Sequence, residues 1–189
     1  MQVVVIALSV FLASFRSCFM TTQLDKYEVT KYGLYTSTDE ETIVDPHTAT
    51  GTRKFIKNVV FTDQTYKVPA QLGTRFGFGA VLVGKPEGRS VTVRRVTLFP
   101  KKGITNPVTG KTTYQDEAML SKVIGAESHF GYSFDHPWEM VPGPWTFQVW
   151  YGDQKLLEQT FTVVNSPYRK HASSSRGTQK AHSLPGPKP

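Results

Sequence analysis

The sequence predicts an all-β domain, an antiparallel sandwich of about seven to nine short strands. Three observations support this prediction. No window between residues 21 and 165 shows a sustained helical period of apolar residues. Glycine and proline interrupt most of that region. Within the shorter runs, apolar and polar residues alternate, as they do in strands that bury one face.

Strand character is strongest in a set of short segments. They are residues 26–36, 53–61, 65–69, 73–84, 89–99, 111–116, 127–134, 144–151 and 155–164. In the fourth segment every second residue from Phe76 to Leu82 is apolar, so one face is expected to be buried. The last two segments alternate in the same way and flank Gly152-Asp153-Gln154, a short loop of hairpin type. Residues 117–126 fit either one helical turn or a loop.

The segment 89–99 contains a change of phase. Its first two valines occupy odd-numbered positions, whereas Val96 and Leu98 occupy even-numbered ones. A single regular strand would send these pairs to opposite faces. We therefore expect a β-bulge at Arg94-Arg95, which would aim both guanidinium groups at an anionic ligand. The alternative is an edge strand that these charges protect from aggregation.

The net charge of +7 is unevenly distributed along the chain. Residues 167–189 carry five basic side chains and no acidic one, and they are rich in proline and serine. This segment has too few apolar residues to offset chain entropy, so we expect a disordered basic tail. Such a tail would bind an anionic surface, or it is a solvated terminus with no partner. The nearly neutral remainder indicates no specific nucleic-acid partner.

Residues 1–19 contain an uncharged apolar run at positions 3–15. Its length fits the hydrophobic region of a signal peptide and is too short to span a membrane comfortably. We therefore expect export to the periplasm or the exterior, with a β-sandwich domain over residues 20–166. The alternative is a cytoplasmic protein that starts at Met20, because Arg16 follows the apolar run and no basic residue precedes it.

Several sequence blocks occur together in a characteristic order. They are YGLY (32–35), LGTRFGF (72–78), NPVTGK (106–111), GYSFDHPWE (131–139) and VPGPWTFQVWYG (141–152). In combination they resemble the bacterial family called domain of unknown function 3859, over roughly residues 28–164. The resemblance implies an immunoglobulin-like fold, often behind a signal peptide, and thus an antiparallel immunoglobulin-like β-sandwich. It implies no activity, because the family has no established catalytic residues.

The densest polar and aromatic cluster is Asp135-His136-Pro137-Trp138-Glu139. Its acids and imidazole could bind a metal ion together with His129. However, the prolines in and after the cluster favour a corner between strands, where Asp135 caps the turn and Trp138 covers the end of the sandwich. We expect no metal and no cofactor, and we retain Asp135, His136, Trp138 and Glu139, with Arg94 and Arg95, as candidate binding residues.

An enzyme is the alternative function, as a hydrolase that uses Asp135 and Glu139. Such a pair is defined by its separation in space, which the sequence does not supply. No serine lies in a Gly-x-Ser-x-Gly turn, and the only cysteine, Cys18, can form neither an internal disulfide nor a thiolate zinc cage. The glycines of 73–79 favour close strand packing over a phosphate loop, because no helix follows them. We therefore expect a non-enzymatic binding or envelope-accessory module, with a protein or polysaccharide partner at the sandwich loops.

Overall fold

The structure, a computed structural model, describes residues 21–165. Within this range the chain forms strands and one short 3₁₀ helix, Pro137–Glu139, and contains no α-helix, which confirms the all-β prediction. The strands are β1 (Gln23–Thr36), β2 (Asp39–Val44), β3 (Thr52–Lys57), β4 (Val60–Asp63), β5 (Lys67–Pro69), β6 (Arg75–Lys85), β7 (Ser90–Leu98), β8 (Ile104–Thr105), β9 (Thr112–Thr113), β10 (Gln115–Val123), β11 (Glu127–Ser133), β12 (Gly143–Tyr151) and β13 (Gln154–Val164). The expected N-terminal hydrophobic segment and basic tail lie outside the described residues.

Two main sheets form the sandwich. One has four strands in the order β11-β6-β1-β4, and the other has five strands in the order β10-β7-β12-β13-β5. All neighbours in these sheets are antiparallel except β5, which pairs with β13 in parallel. Two short ribbons, β2–β3 and β8–β9, lie outside the main sheets. Strands β10 and β11 are therefore edge strands, one in each sheet.

Aromatic side chains from both sheets fill the space between them. On β6, Phe76 and Phe78 are fully buried, as the alternation predicted. The Phe76 ring lies 5.8 Å from the Trp145 ring of β12 and 5.5 Å from the Phe161 ring of β13, between centroids. Phe147 of β12 contacts both Phe76 and Phe78. Edge-to-face contacts of this kind add to the hydrophobic gain from burying the rings.

The terminal hairpin that joins β12 and β13 is confirmed. Tyr151 pairs with Gln154, so the connecting loop is Gly152-Asp153. Gly152 has a positive φ of 54°, a conformation that glycine adopts without the usual side-chain clash. Trp145 and Phe161 face each other across this pair and are both fully buried. The hairpin therefore supplies one wall of the core.

The bulge expected at Arg94-Arg95 is absent. Strand β7 pairs without a register shift along its length with β10, and from Arg94 to Leu98 with β12. The edge-strand alternative is also wrong, because β7 lies between these two strands. The alternation of apolar residues changes phase in the sequence because Arg95 and Thr97, which are not apolar, occupy the inward positions that follow the two valines. Arg94 and Arg95 consequently point to opposite faces of the sheet.

Other boundaries differ from the predicted ones for local reasons. The predicted segment 53–61 divides into β3 and β4 near Asn58, whose positive φ of 51° interrupts the extended backbone. Residues 117–126, expected as a helical turn or a loop, form most of β10 up to Val123 and then a turn. Strand β10 pairs only with β7, so its other edge is exposed. Its polar residues are compatible with that exposed position. Strands β2 and β8 were not predicted.

A close approach between β6 and β11 predicts a strong effect of Gly77→Ala. A Cβ atom at Gly77 would lie 2.1 Å from the carbonyl oxygen of Phe130 and 2.6 Å from Cα of Gly131. Since backbone rather than side chain must move, we expect a loss of about 3 kcal/mol in the free energy of unfolding, measured by urea denaturation. The matched control is Gly79→Ala, where the nearest atoms belong to flexible side chains at 3.0 Å or more. Equal losses in both variants would contradict this account of the β6–β11 contact.

Candidate functional site

A cavity of about 460 Å³ lies where the two edge strands β10 and β11 leave the sandwich open, with the β2–β3 hairpin beside it. We call this cavity the edge cleft. Its lining includes residues of β3, β7, β10 and β11 and the 3₁₀ helix. Six of the ionisable lining residues are Arg95, Asp116, Lys122, His129, Tyr132 and Glu139. The volume is suited to a small molecule.

The β2–β3 hairpin is fixed over the edge cleft by polar contacts. The backbone N–H of Ala49, in the turn of the hairpin, donates a 2.9 Å hydrogen bond to Oδ1 of Asp116 on β10. The side-chain amide of Asn106 donates to the carbonyl oxygen of Ala49 at 3.3 Å. Within the hairpin, Nε of Arg53 lies 3.3 Å from Oδ2 of Asp45. The turn is therefore attached directly to a lining residue of the cleft.

Strand pairing places Arg95 and Asp116 on the inner face of the sheet. Arg95 is opposite Ala118 and Thr97 is opposite Asp116, and paired residues share a face. Burial lowers the pKa of the Arg95 guanidinium, and the charge of Asp116 partly opposes this shift. Burial also raises the pKa of Asp116 to about 6, against the effects of the Ala49 N–H and of Arg95. The opposite charges of Arg95 and Asp116 stabilise each other, but burial has the larger effect on both pKa values.

Glu139 is the most completely buried acid of the edge cleft, with none of its surface exposed. Neither of its carboxylate oxygens makes a hydrogen bond of normal geometry among the described residues, but the Tyr132 hydroxyl and the backbone of Asp135 and His136 lie close enough to act on it. Burial raises the pKa of Glu139 to about 7, and Tyr132 acts in the opposite direction. Burial and the nearby Glu139 also raise the pKa of Tyr132 well above its usual value.

His129 is a second buried group without polar partners. Both of its ring nitrogens lack a hydrogen-bond partner within the described part of the chain. Its ring contacts Tyr35 edge-on, with 4.5 Å between the ring centroids. Burial lowers the pKa of His129 to about 4, and the charge of Lys122 adds to the shift. His129 is therefore neutral at physiological pH.

The edge cleft thus combines space with buried polar groups that have no protein partner. Buried polar atoms are almost always hydrogen-bonded, since leaving one unpaired costs about 1–3 kcal/mol. Arg95 Nε is an unused donor, and the two ring nitrogens of His129 are also without a partner among the described residues. Such groups can bind a polar ligand with little rearrangement of the fold. The arrangement is suited to recognition.

The predicted cluster at residues 135–139 is divided by the structure. Glu139 and Asp135 line the edge cleft, whereas His136 and Trp138 do not and stack on each other with 5.4 Å between their centroids. Asp135 accepts a hydrogen bond from Nζ of Lys54 at 2.8 Å and from the hydroxyl of Ser133 at 3.0 Å. The N-cap of the 3₁₀ helix is His136, without a side-chain cap, so the expectation that Asp135 caps the turn is wrong.

The two candidate arginines are separated by the sheet. Arg95 lines the edge cleft, whereas Arg94 lies on the outer face, with its guanidinium carbon 5.5 Å from the centroid of the Trp150 ring. Arg94 also lies 3.5 Å from a carboxylate oxygen of Glu117. A second cavity, of about 520 Å³, adjoins Arg94 and Met119 on that side. The two guanidinium groups therefore do not converge on one anion.

Several lining residues were missed by the sequence analysis. Lys122 was missed because residues 117–126 were not assigned to a strand, and Asp116 was missed as a lining residue because the predicted strand 111–116 ended at it. Once β10 is known, Asp116, Ala118, Leu120 and Lys122 lie at alternate positions and share a face. Tyr132 lay inside a predicted strand, but an aromatic residue in a strand usually belongs to the core, so the sequence did not mark it as a site residue. His129 was considered only as a metal ligand.

The residues described by the structure contain no group of three His, Cys, Asp or Glu side chains that could hold a metal ion. The side chains of Asp135, His136, Glu139 and His129 therefore do not assemble as the metal hypothesis required. No helix within residues 21–165 has the length and apolar character needed to cross a membrane.

Comparisons with known proteins place the fold. A family model described as "Domain of unknown function (DUF3859)" matches residues 24–163. A crystal structure of an immunoglobulin-like protein from Pseudomonas aeruginosa is similar, with 27% sequence identity and a TM-score of 0.51. The match covers 76% of this chain and 97% of that protein. None of the curated proteins matches the chain significantly. These similarities confirm the immunoglobulin-like sandwich expected from the sequence.

The raised pKa of Glu139 predicts a specific pH dependence of stability. The folded protein keeps a proton on Glu139 that the unfolded chain releases near pH 4.5, so this contribution to stability is complete below pH 4.5 and is lost as the pH rises toward 7. The Glu139→Gln variant has no carboxyl group at this position, so its stability does not fall with the ionisation of this residue as the pH rises. Between pH 4.5 and 8, the variant should therefore gain on the order of 2–3 kcal/mol relative to wild type.

Urea denaturation at pH 4.5, 6 and 8 measures this difference. The control is Glu158→Gln, because the Lys155 side chain lowers the pKa of Glu158 and the exposed carboxylate stabilises the fold only when ionised. This variant should change in the opposite direction with pH, and only slightly. A difference between Glu139→Gln and wild type that does not vary with pH would exclude a raised pKa at Glu139.

Proposed function

The chain belongs to the DUF3859 family of unknown function, and from this premise we propose that it is a non-enzymatic binding module whose ligand occupies the edge cleft. One observation carries the proposal. The lining side chains Arg95 and His129 contain buried polar atoms without a partner among the described residues, beside a cavity of about 460 Å³. A polar ligand would complete these hydrogen bonds. The cleft lies between edge strands, whereas the sequence analysis expected the partner to bind at the sandwich loops.

The same geometry favours binding over hydrolysis by Asp135 and Glu139. A general acid must reach within hydrogen-bond distance of the bond it protonates. Glu139 is fully buried in the free protein, and Asp135 is already bound by Lys54 and Ser133. Turnover of a chromogenic glycoside or ester by the purified protein, lost in Glu139→Gln, would overturn the non-enzymatic assignment.

The binding proposal predicts that bulk at the mouth of the cleft blocks ligands. Ala126 is exposed and lines the cleft, so Ala126→Trp should obstruct entry with little effect on folding. Ligand-observed NMR with a set of amino acids, sugars, organic acids and nucleotides is the measurement. Compounds that bind the wild type should bind the variant at least tenfold more weakly.

Gln64→Trp is the matched control for this prediction. Gln64 is exposed, lies in the connection between β4 and β5, and does not line the edge cleft. This variant should retain every ligand. Ligands that bind Ala126→Trp as tightly as the wild type would place the binding site elsewhere on the domain.

We place the module in the cell envelope, on the basis of the apolar run at residues 3–15, with the basic residues of 167–189 as a further contact to an anionic surface. Neither segment belongs to the described structure, so this assignment is based on sequence. A cleaved signal peptide predicts that the protein isolated from its native cells begins near or after Cys18. N-terminal sequencing measures this directly. A mature N-terminus at Met1, or a protein that begins at Met20 and is recovered only from the cytoplasmic fraction, would contradict export through a cleaved signal peptide.

A further inference from the structure

Two cations of the edge cleft have no acidic partner. No carboxylate oxygen of residues 21–165 lies within 4 Å of the charged nitrogens of Arg95 or Lys122. The Lys122 ammonium instead lies 5.0 Å from the centroid of the Phe130 ring. Arg95 Nε has no hydrogen-bond partner in the same part of the chain. Both side chains line the same cavity.

The acids near these cations are already engaged. Asp45 lies 3.3 Å from Arg53, Asp135 lies 2.8 Å from Lys54, and Glu127 lies 3.1 Å from Lys31. These carboxylates therefore compensate other basic side chains at or near the cleft. They are not available to Arg95 and Lys122 without breaking an existing ion pair.

Asp116 and Glu139 are the remaining acids that line the cleft, and of these Asp116 is the one close to Arg95. It acts on Arg95 through its charge, while its Oδ1 atom accepts the hydrogen bond from the N–H of Ala49. Burial raises the pKa of Asp116 to about 6 and that of Glu139 to about 7, so these two acids offset the charges of Arg95 and Lys122 only in part. Burial lowers the pKa of Lys122, and repulsion from Arg95 adds to this shift. The fold places these two like charges on one cavity at an energetic cost.

We propose that the edge cleft binds its ligand through one anionic group, a carboxylate or a phosphate, held between the Arg95 guanidinium and the Lys122 ammonium. This inference rests on the binding function proposed above and adds the chemical class of the ligand. A small anion would neutralise the excess positive charge, and a guanidinium binds both anion types through paired N–H groups. Phe130 and Leu120 line the same cavity and would contact an apolar part of the ligand.

The position of these cations indicates a small ligand and not a polyanion. They lie within a cavity of about 460 Å³, and Arg95 is largely buried on the inner face of a sheet. A nucleic-acid or polysaccharide chain contacts exposed basic surfaces that follow its backbone. The proposed site therefore differs from the basic tail in the size of anion it would bind.

The test uses the full-length protein labelled with ¹⁵N, titrated separately with inorganic phosphate and with acetate at constant ionic strength set by chloride. The readout is the Nε–Hε resonance of Arg95, assigned from its loss in Arg95→Met. We expect a saturable shift with at least one of the two anions, and the comparison shows which type the site prefers. In Lys122→Met the apparent Kd should rise at least tenfold.

Two further variants separate binding from folding. Lys102→Met removes a charge from an exposed turn and should leave the affinity unchanged. Arg95→Lys keeps the charge and should retain part of the affinity, followed in this variant through the backbone amide resonances of the cleft residues, which also covers the case in which Arg95→Met does not fold. A linear shift with both anions, or an equal Kd in wild type and Lys122→Met, would overturn the anion site.

The outcome also separates this inference from the function on which it rests. If uncharged compounds bind the cleft and are lost in Ala126→Trp, while phosphate and acetate do not bind, the anion site is wrong and the binding function stands. If neither the compound set nor the two anions bind, both proposals are wrong.

Discussion

The aromatic contact between the two sheets is the interaction on which the rest of the structure depends. Phe76 of β6 packs against Trp145 and Phe161 of the opposite sheet, and all three rings are fully buried. This packing fixes the distance and the relative orientation of the sheets. It is concentrated on the central strands, so the edges at β10 and β11 are free to diverge. The edge cleft lies in that opening, where apolar packing gives way to ionisable side chains.

The polar groups of the cleft oppose the stability that the aromatic core provides. Burial shifts Asp116 and Glu139 toward their neutral forms and keeps His129 uncharged. Each shift reflects a group that would be better solvated in the unfolded chain. Natural domains retain such costs mainly where a site needs them. The β2–β3 hairpin limits the cost by supplying the hydrogen bond from Ala49 to Asp116.

The similarity to an immunoglobulin-like protein establishes the architecture and leaves the chemistry open. One sandwich fold carries many unrelated functions, which are determined by particular side chains. In this chain those side chains lie on the central strand β7 and on the edge strands β10 and β11. Arg95, Lys122 and His129 come from these three different strands, which meet at the cleft. The function proposed here therefore rests on these residues and not on the fold.

The sequence by itself determined the strand content, the core faces of β6 and β12 and the terminal hairpin. These features depend on the alternation of neighbouring residues, which is a local property. The tertiary structure decided that β7 is central and regular, so that Arg95 is an inward polar residue and not a bulge. It also brought Arg95, Lys122 and Glu139 to the lining of one cavity. Which strands pair, and which segment packs over an exposed edge, depend on residues that are far apart in the sequence. No local pattern therefore specifies them.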